Sequence, residues 1–397
     1  MIPVADPVIA KNAQRYLKTC LESKWISGAG PFVARFEKEF ARFIGTRYGV
    51  ACTSGTAALH LALASLALGP GDEVIVPAFT MIATILPVLY LGATPVLVDA
   101  EPDTGNLDLG QVKKKITLKT RAIIPVHING HPVDIPALIA LTKAYRIKVV
   151  EDAAEAHGAA IQMSNDKFQM TNDEAKRPKK PKSASVPVRT KWQRVGSFGD
   201  LGCFSFYANK IVTTGEGGMV TTNNSELAKR LVGLRNLART PSKHFFHRKI
   251  AFNYRMSNLQ AALGVAQLEE VDWAIQKKRT IARLYQQELS EIPYLTLPSE
   301  KPYAKNVYWQ YGILLNADSP VSRDQLAVAL ERRGIETRIF FVPLNKQPVF
   351  KKLGLFKGES YPVAENLGKR GLNLPSGLAL SQRQISLVCE VIRQAFL

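Results

Sequence analysis

The chain has 397 residues, 46% hydrophobic and 21% charged, the balance of a globular protein with one large and one smaller domain. Its formal net charge is +19, from 52 basic and 33 acidic residues. Without a helix-turn-helix, zinc-finger or RNA-binding pattern, that excess predicts a basic surface suited to anionic small molecules, with no nucleic-acid partner. The lack of any apolar run of about 18 residues argues against a membrane span or membrane partner, and the N-terminal "MIPVADPVIAKNAQRYLK" lacks a signal-peptide pattern. Cys20, Cys52, Cys203 and Cys389 are scattered and form no Cys-x-x-Cys pair, so reduced thiols, no metal site and a cytoplasmic location are expected.

In chain order, "YGVACTS" (48–54) has the composition of a strand and "TAALHLALASLAL" (56–68) that of a buried helix. The strand "DEVIVPA" (72–78) precedes an apolar segment of helix length from Thr80 to Leu91. "TPVLVDA" (94–100), "TRAIIPVHI" (120–128) and "RIKVVEDAA" (146–154) are further strands, and "DIPALIALTKAY" (134–145) has helical spacing. Alternation of this kind predicts βαβ units and a mostly parallel sheet covered on both faces. "LGCFSFY" (201–207) and "GGMVTTN" (217–223) follow one another with no helix between, so part of the sheet is expected to be antiparallel.

Residues 163–193 are polar, basic and proline-containing, and predict a long surface insertion. Their "KRPKKPK" resembles a nucleic-acid or nuclear-targeting patch, although a solvated loop is the expectation. A helical pattern runs from Ser257 to about Leu289 with a break, followed by strands "NVYWQYGILL" (306–315) and "IETRIFF" (335–341) around a helix "SRDQLAVALERRG" (322–334). A last helix is expected near 382–395. The resulting division is a large domain over 1–256, a connecting helical region over 257–289 and a small α+β domain over 290–397.

Four pieces carry chemistry. "TSGTAAL" (53–59) ends a strand and opens a helix, and Gly55 removes side-chain bulk where helix-start amides can hold a phosphate. "VVEDAAEAHG" (149–158) ends a strand in Asp152, facing the crevice where α/β proteins bind ligands. Lys210, in "FSFYANKIVTTGEGGMVTT" (204–222), lies between strands beside glycines and could form a Schiff base if its pKa is depressed. Ser205 in the same stretch could donate to a phosphate. Taken singly, these are a helix cap, a surface acid and a loop cation; together they match the needs of pyridoxal 5′-phosphate.

"SGTAALHLAL", "GDEVIVPAFT", "GATPVLVDA", "VVEDAAEAHGA", "GSFGDLGCFSFYANKIVTTGEGGMVTT" and "FNYRMSNLQAALGVAQLE" resemble the DegT/DnrJ/EryC1/StrS family of sugar aminotransferases. The resemblance spans nearly the whole chain outside 163–193. It implies a fold-type I α/β enzyme with a mostly parallel seven-stranded sheet. Lys210 is then the covalent lysine and proton shuttle, and Asp152 the partner of the pyridine nitrogen. The Gly55 and Thr56 amides and the Ser205 hydroxyl hold the phosphate, and Ala154 packs under the ring. Asn253 reaches the phosphate of a neighbouring subunit in a homodimer with shared active sites, and His247 lines the sugar pocket.

Two positions depart from the family pattern. Glu155 stands where glutamine or histidine usually donates to the cofactor's phenolic oxygen, and an ionised carboxylate cannot donate. Met81 stands where an aromatic often stacks on the ring, a place a thioether can fill. The stretches "NVYWQYGILL", "ETRIFFVPLNKQPVF" and "LNLPSG" are most similar to the branch that aminates C4 of GDP-4-keto-6-deoxymannose with L-glutamate as donor. A dTDP- or UDP-linked keto-sugar is the alternative acceptor. Dehydratases on the same scaffold carry histidine in place of Lys210, and a non-enzymatic regulator rests on charge alone.

Overall fold

The computed structural model describes residues 1–163, 191–240, 243–247 and 249–397. Helices α1 (Ala13–Ser23) and α2 (Pro31–Ile44) lead into strand β1 (Tyr48–Cys52) and helix α3 (Gly55–Ser65). Next come β2 (Glu73–Pro77), α4 (Leu86–Tyr90), β3 (Thr94–Val98), α5 (Leu109–Lys115), β4 (Thr120–Ile123), α6 (Ile135–Lys143) and β5 (Lys148–Asp152). A hairpin of β6 (Ala160–Met163) and β7 (Lys191–Arg194) precedes β8 (Leu201–Ser205), β9 (Gly218–Thr222) and α7 (Ser225–Arg235). A second, short hairpin pairs β10 (Arg239–Thr240) with β11 (Lys243–His247). Then follow α8 (Asn258–Glu269), α9 (Val271–Leu289), β12 (Leu295–Thr296), β13 (Ala304–Lys305), β14 (Tyr311–Leu315), α10 (Arg323–Arg332) and β15 (Arg338–Ile339). The chain closes with α11 (Pro348–Lys352), α12 (Pro362–Arg370), β16 (Gly371–Leu374) and α13 (Gln382–Ala395).

The main sheet has seven strands in the order β1-β9-β8-β5-β4-β2-β3. All pairs are parallel except those of β9, which is antiparallel to both neighbours. Alternation along each strand sends residues into two cores. Ile75, Ile123 and Phe204 join one, with Phe36 and Phe40 of α2. Val74, Val76, Ala122, Cys203 and Val220 join the other, with Leu59, Leu61 and Leu63 of α3. A sheet buried on both faces needs near-continuous apolar strands, which is why these segments were legible. A third core gathers Ile281, Tyr285 and Leu289 of α9 with Tyr311, Ile313, Leu372, Leu374 and Val388, and includes Ile2. Strands β12, β14, β16 and β15 form its four-stranded sheet. Among the described residues no helix is long and apolar enough to cross a membrane.

Three expectations change. Thr80–Leu91 is no continuous helix: a single 3-10 turn over Ile82–Thr84 precedes the short α4, because Thr80 and Thr84 turn inward to each other and Thr84 to Asp152. The insertion is narrower than 163–193, since Met163 pairs with Lys191 and Gln162 with Trp192 in the β6–β7 ladder; residues 164–190, with "KRPKKPK", lie outside the described residues. In the small domain "NVYWQYGILL" is strand only from Tyr311, and "IETRIFF" only at Arg338–Ile339.

Candidate active site

The site is built at the carboxyl end of β5. Glu151 faces one side of the sheet, fully buried, and its carboxylate accepts from the Gly196, Phe198 and Gly199 amides at 2.7, 2.8 and 2.7 Å. His127 Nε2 lies 3.3 Å from the same carboxylate. Because the Val133 amide donates to His127 Nδ1 at 3.0 Å, the ring proton is placed on Nε2 and points at Glu151. This anchor fixes the strand end and turns the next side chain, Asp152, to the opposite face. Asp152 is 5% exposed; its Oδ2 accepts from Thr84 Oγ1 at 2.9 Å and its Oδ1 from the Ala154 amide at 3.2 Å. Burial pushes its pKa up, while Thr84, Ala154, Lys210 and His127 pull it back down.

The start of α3 closes on the end of β8. Ser54 caps the helix by accepting from the Ala57 amide at 3.1 Å, and leaves the Gly55 and Thr56 amides in the first turn, which has no acceptor inside the helix. A Cβ on Gly55 would lie 2.7 Å from Ser205 Cβ, so only glycine lets the two segments meet. Gly218 makes the matching approach from β9: a Cβ there would stand 2.2 Å from the Ser54 carbonyl oxygen. The glycines after Lys210 thus include one that is required by protein packing beside the cradle. Ser205 Oγ accepts weakly from the Tyr207 amide at 3.4 Å, and as a hydroxyl it can also donate.

Lys210 sits in the turn after β8, its amide donating to the Tyr207 carbonyl at 2.9 Å. Its side chain is half-buried and its Nζ lies 3.5 Å from the centroid of the Trp309 ring. Burial lowers its pKa, Glu155 and Asp152 counter that, and Arg338 adds to the lowering. Glu155 is 6% exposed and accepts from the Asn129 amide at 2.8 Å. Burial raises its pKa to about 7 against the pull of Lys210 and the Asn129 amide, with Asp152 adding to the rise. The carboxyl is therefore poised to carry a proton near neutrality.

Lys210, Asp152 and Glu155 interact electrostatically, and Gly55 abuts Ser205. Ala154 follows Asp152 on the same turn. Met81 is 50% exposed and its carbonyl accepts from the amide of Thr84, the residue that holds Asp152. Asn253 is exposed and accepts from Arg255 Nε at 3.0 Å; His247, also exposed, donates from Nδ1 to the Leu237 carbonyl at 2.7 Å. Neither has a hydrogen-bond partner in the Lys210 cluster. Sequence reading missed Trp309, Thr84 and Asn129. Asn306, three residues before Trp309, was the available signal for a turn: its Oδ1 accepts from the Tyr308 amide at 2.7 Å and ends the strand pattern there.

The donor set fits pyridoxal 5′-phosphate. The close approach of Gly55 to Ser205 brings helix-start amides and a hydroxyl together, a set suited to a phosphate, and a buried acid and an amine of lowered pKa supply the two other contacts. Residues 7–393 match the model of the DegT/DnrJ/EryC1/StrS aminotransferase family. The chain is 38% identical to the GDP-perosamine synthase of Caulobacter vibrioides, over 99% of this chain and 98% of that one. It is 37% identical to the GDP-perosamine synthase of Vibrio cholerae, over 100% and 99%. Among solved structures, Spr1654 of Streptococcus pneumoniae in its PLP form superposes with a TM-score of 0.86 at 27% identity, over 99% of this chain and 98% of that one.

Proposed function

This chain belongs to the DegT/DnrJ/EryC1/StrS aminotransferase family, whose members are pyridoxal-phosphate enzymes, and from that premise we propose that it aminates C4 of GDP-4-keto-6-deoxymannose, giving GDP-perosamine. L-glutamate is the donor and 2-oxoglutarate the other product. The observation that carries the reading is Lys210, an amine of lowered pKa on the face of Trp309 that feels the charges of Glu155 and Asp152. Full-length similarity to GDP-perosamine synthases supports the acceptor.

Bound pyridoxal phosphate supplies the electron sink that makes the Cα–H of an amino acid acidic. Asp152, held by Thr84 and Ala154, pairs with the pyridine nitrogen and keeps its proton there. The Gly55 and Thr56 amides and Ser205 hold the phosphate, while Ala154 and Met81 pack on the ring. Glu155 in its protonated state donates to the phenolic oxygen, since its pKa of about 7 makes that state accessible. Lys210 Nζ, as free base, takes the proton from Cα of glutamate in the first half-reaction. In the second it returns a proton to C4 of the sugar. Balance is kept over the two halves: water gives 2-oxoglutarate its new carbonyl oxygen as the amino group leaves glutamate, and the C4 carbonyl oxygen departs as water when the amino group takes its place.

A homodimer completes the site in this reading. Asn253 and His247, exposed on a single chain, serve the partner's phosphate and sugar. The exposed Ile250 (94%) and Tyr207 (48%) are apolar surface near them in sequence or beside Lys210. The product belongs to surface polysaccharide (O-antigen) synthesis in the cytoplasm, a place that suits four free, buried cysteines.

The test is a panel of GDP-, dTDP- and UDP-linked 4-keto sugars offered with glutamate, with amino-sugar formation followed by mass. Preference for a dTDP or UDP acceptor overturns the nucleotide assignment. Amination at C3 overturns the position, and failure to aminate any keto-sugar overturns the sugar reading.

A further inference from the structure

Trp309 is tied into the molecule at four points. Its amide donates to the Asn129 carbonyl at 2.9 Å, and Asn129 in turn donates its amide to Glu155. Its indole Nε1–H donates at 2.8 Å to the carbonyl of Asn209, the residue before Lys210. Its ring face carries the Lys210 amine. Its carbonyl accepts at 2.8 Å from Lys278 Nζ, and Lys278 donates a second bond to the Ser376 carbonyl. Tyr308, just before it, holds φ 48°, a left-handed conformation uncommon for a bulky residue, so Trp309 is presented by a backbone that its surroundings must keep in place.

Lys278 is an unusual anchor. It lies in α9 at 4% exposure, and its two acceptors are main-chain carbonyls. Among the described residues the charge that faces it is Lys210, and no carboxylate does. A buried lysine with no counter-ion is costly as a cation and tolerable as a neutral amine, which still has two N–H donors for two carbonyls. Its pKa falls to about 7, through burial first and Lys210 second. A hydrophobic residue would fill the same volume without that cost, but would leave both carbonyls bare.

We propose that Lys278 is a positioning residue for the reaction: by holding the Trp309 carbonyl it fixes the indole against Lys210, and so keeps the reactive amine crowded, dry and available as free base. The proposal rests on the reading of Lys210 as that amine. The charged groups that act on Lys210 are Glu155, Asp152 and Arg338, and Lys278 and His157 also feel its charge; the Trp309 face attracts an ammonium weakly, but the water that it keeps out would favour one more strongly. Freed from Lys278, the indole relaxes, water reaches Nζ, and the ammonium form is favoured.

The experiment reads Lys210 itself, in full-length protein stripped of cofactor. Trace acetylation at a series of pH values, resolved peptide by peptide by mass, gives the pKa of each lysine. Lys278→Met is expected to raise that of Lys210 by about one unit, a roughly tenfold fall in free amine near neutrality. Indole emission assigned by difference from Trp309→Phe should shift with it. Lys278→Gln, uncharged but with two N–H donors, should recover most of both signals. A lowered melting temperature with the Lys210 pKa unmoved overturns the proposal, as does Lys278→Gln behaving like Lys278→Met, which would assign the effect to charge. If Lys278→Met does not fold, Trp309→Leu answers the same question: the Lys210 pKa must rise, and an unchanged value overturns the proposal. Because neither cofactor nor sugar is present, this outcome is independent of whether the acceptor assignment holds.

Discussion

Lys210 and Glu155 are neighbours whose pKa values are moved toward each other by the same burial. Lys210→Ala should fold, retain cofactor only reversibly and lose at least about a hundredfold in turnover, read as single-turnover loss of the glutamate α-proton. For Glu155 the sign can be worked out. Its folded pKa, about 7, is raised from the ordinary 4.5, so its contribution to stability is complete below about 4.5 and lost as pH rises through 7. Compared with Glu155→Gln, the cofactor-free wild type should therefore lose melting temperature between pH 4.5 and 8, and the variant should keep its affinity for cofactor. A flat difference between the two proteins across that window, or a large loss of affinity, would contradict a protonated Glu155. Asp152 was legible as a strand-end acid because it closes a short strand whose middle is Val149 and Val150. Trp309 was not, because "NVYWQYGILL" has the composition of a strand throughout; the left-handed Tyr308 that frees Trp309 from the sheet is a backbone fact with little trace in residue type.

At the scale of elements, local rules decided most of what could be read. Capping boxes at Ser257, Ser322 and Ser381 mark the starts of α8, α10 and α13. Thr80–Leu91 failed as a helix because two threonines are committed to a side-chain chain ending at Asp152, an interaction no periodicity encodes. The α3–β8 junction depends on a missing side chain. Gly55→Ala should cost about 1–3 kcal/mol of stability in urea unfolding through its clash with Ser205, and should weaken cofactor binding more than it slows the bound enzyme. The β6–β7 ladder supports another test. Since Met163 and Lys191 face each other in register, replacing 164–190 by a short Asn-Gly turn should leave folding and cofactor binding intact, checked by melting temperature and cofactor titration.

At the scale of the whole molecule, the proposed sharing of sites in a homodimer makes a distinctive demand. Lys210→Ala and Asn253→Ala chains, each inactive alone, should regain about a quarter of wild-type activity when refolded together as random dimers, since half the dimers then carry one intact site. Independent sites would give no recovery. The main sheet sets another condition. Its first strand pairs with its last-made one, Cys52 opposite Gly218, and the proposed phosphate cradle lies at that junction. A chain leaving the ribosome therefore holds an apolar β1 and the start of α3 long before their partner exists, and no early cofactor can template them. Nascent chains arrested at increasing lengths should gain cofactor-dependent protease resistance only after Thr222 has emerged. That result would make translation the clock of the binding site, with cofactor supply acting only on chains whose ninth strand is already in place.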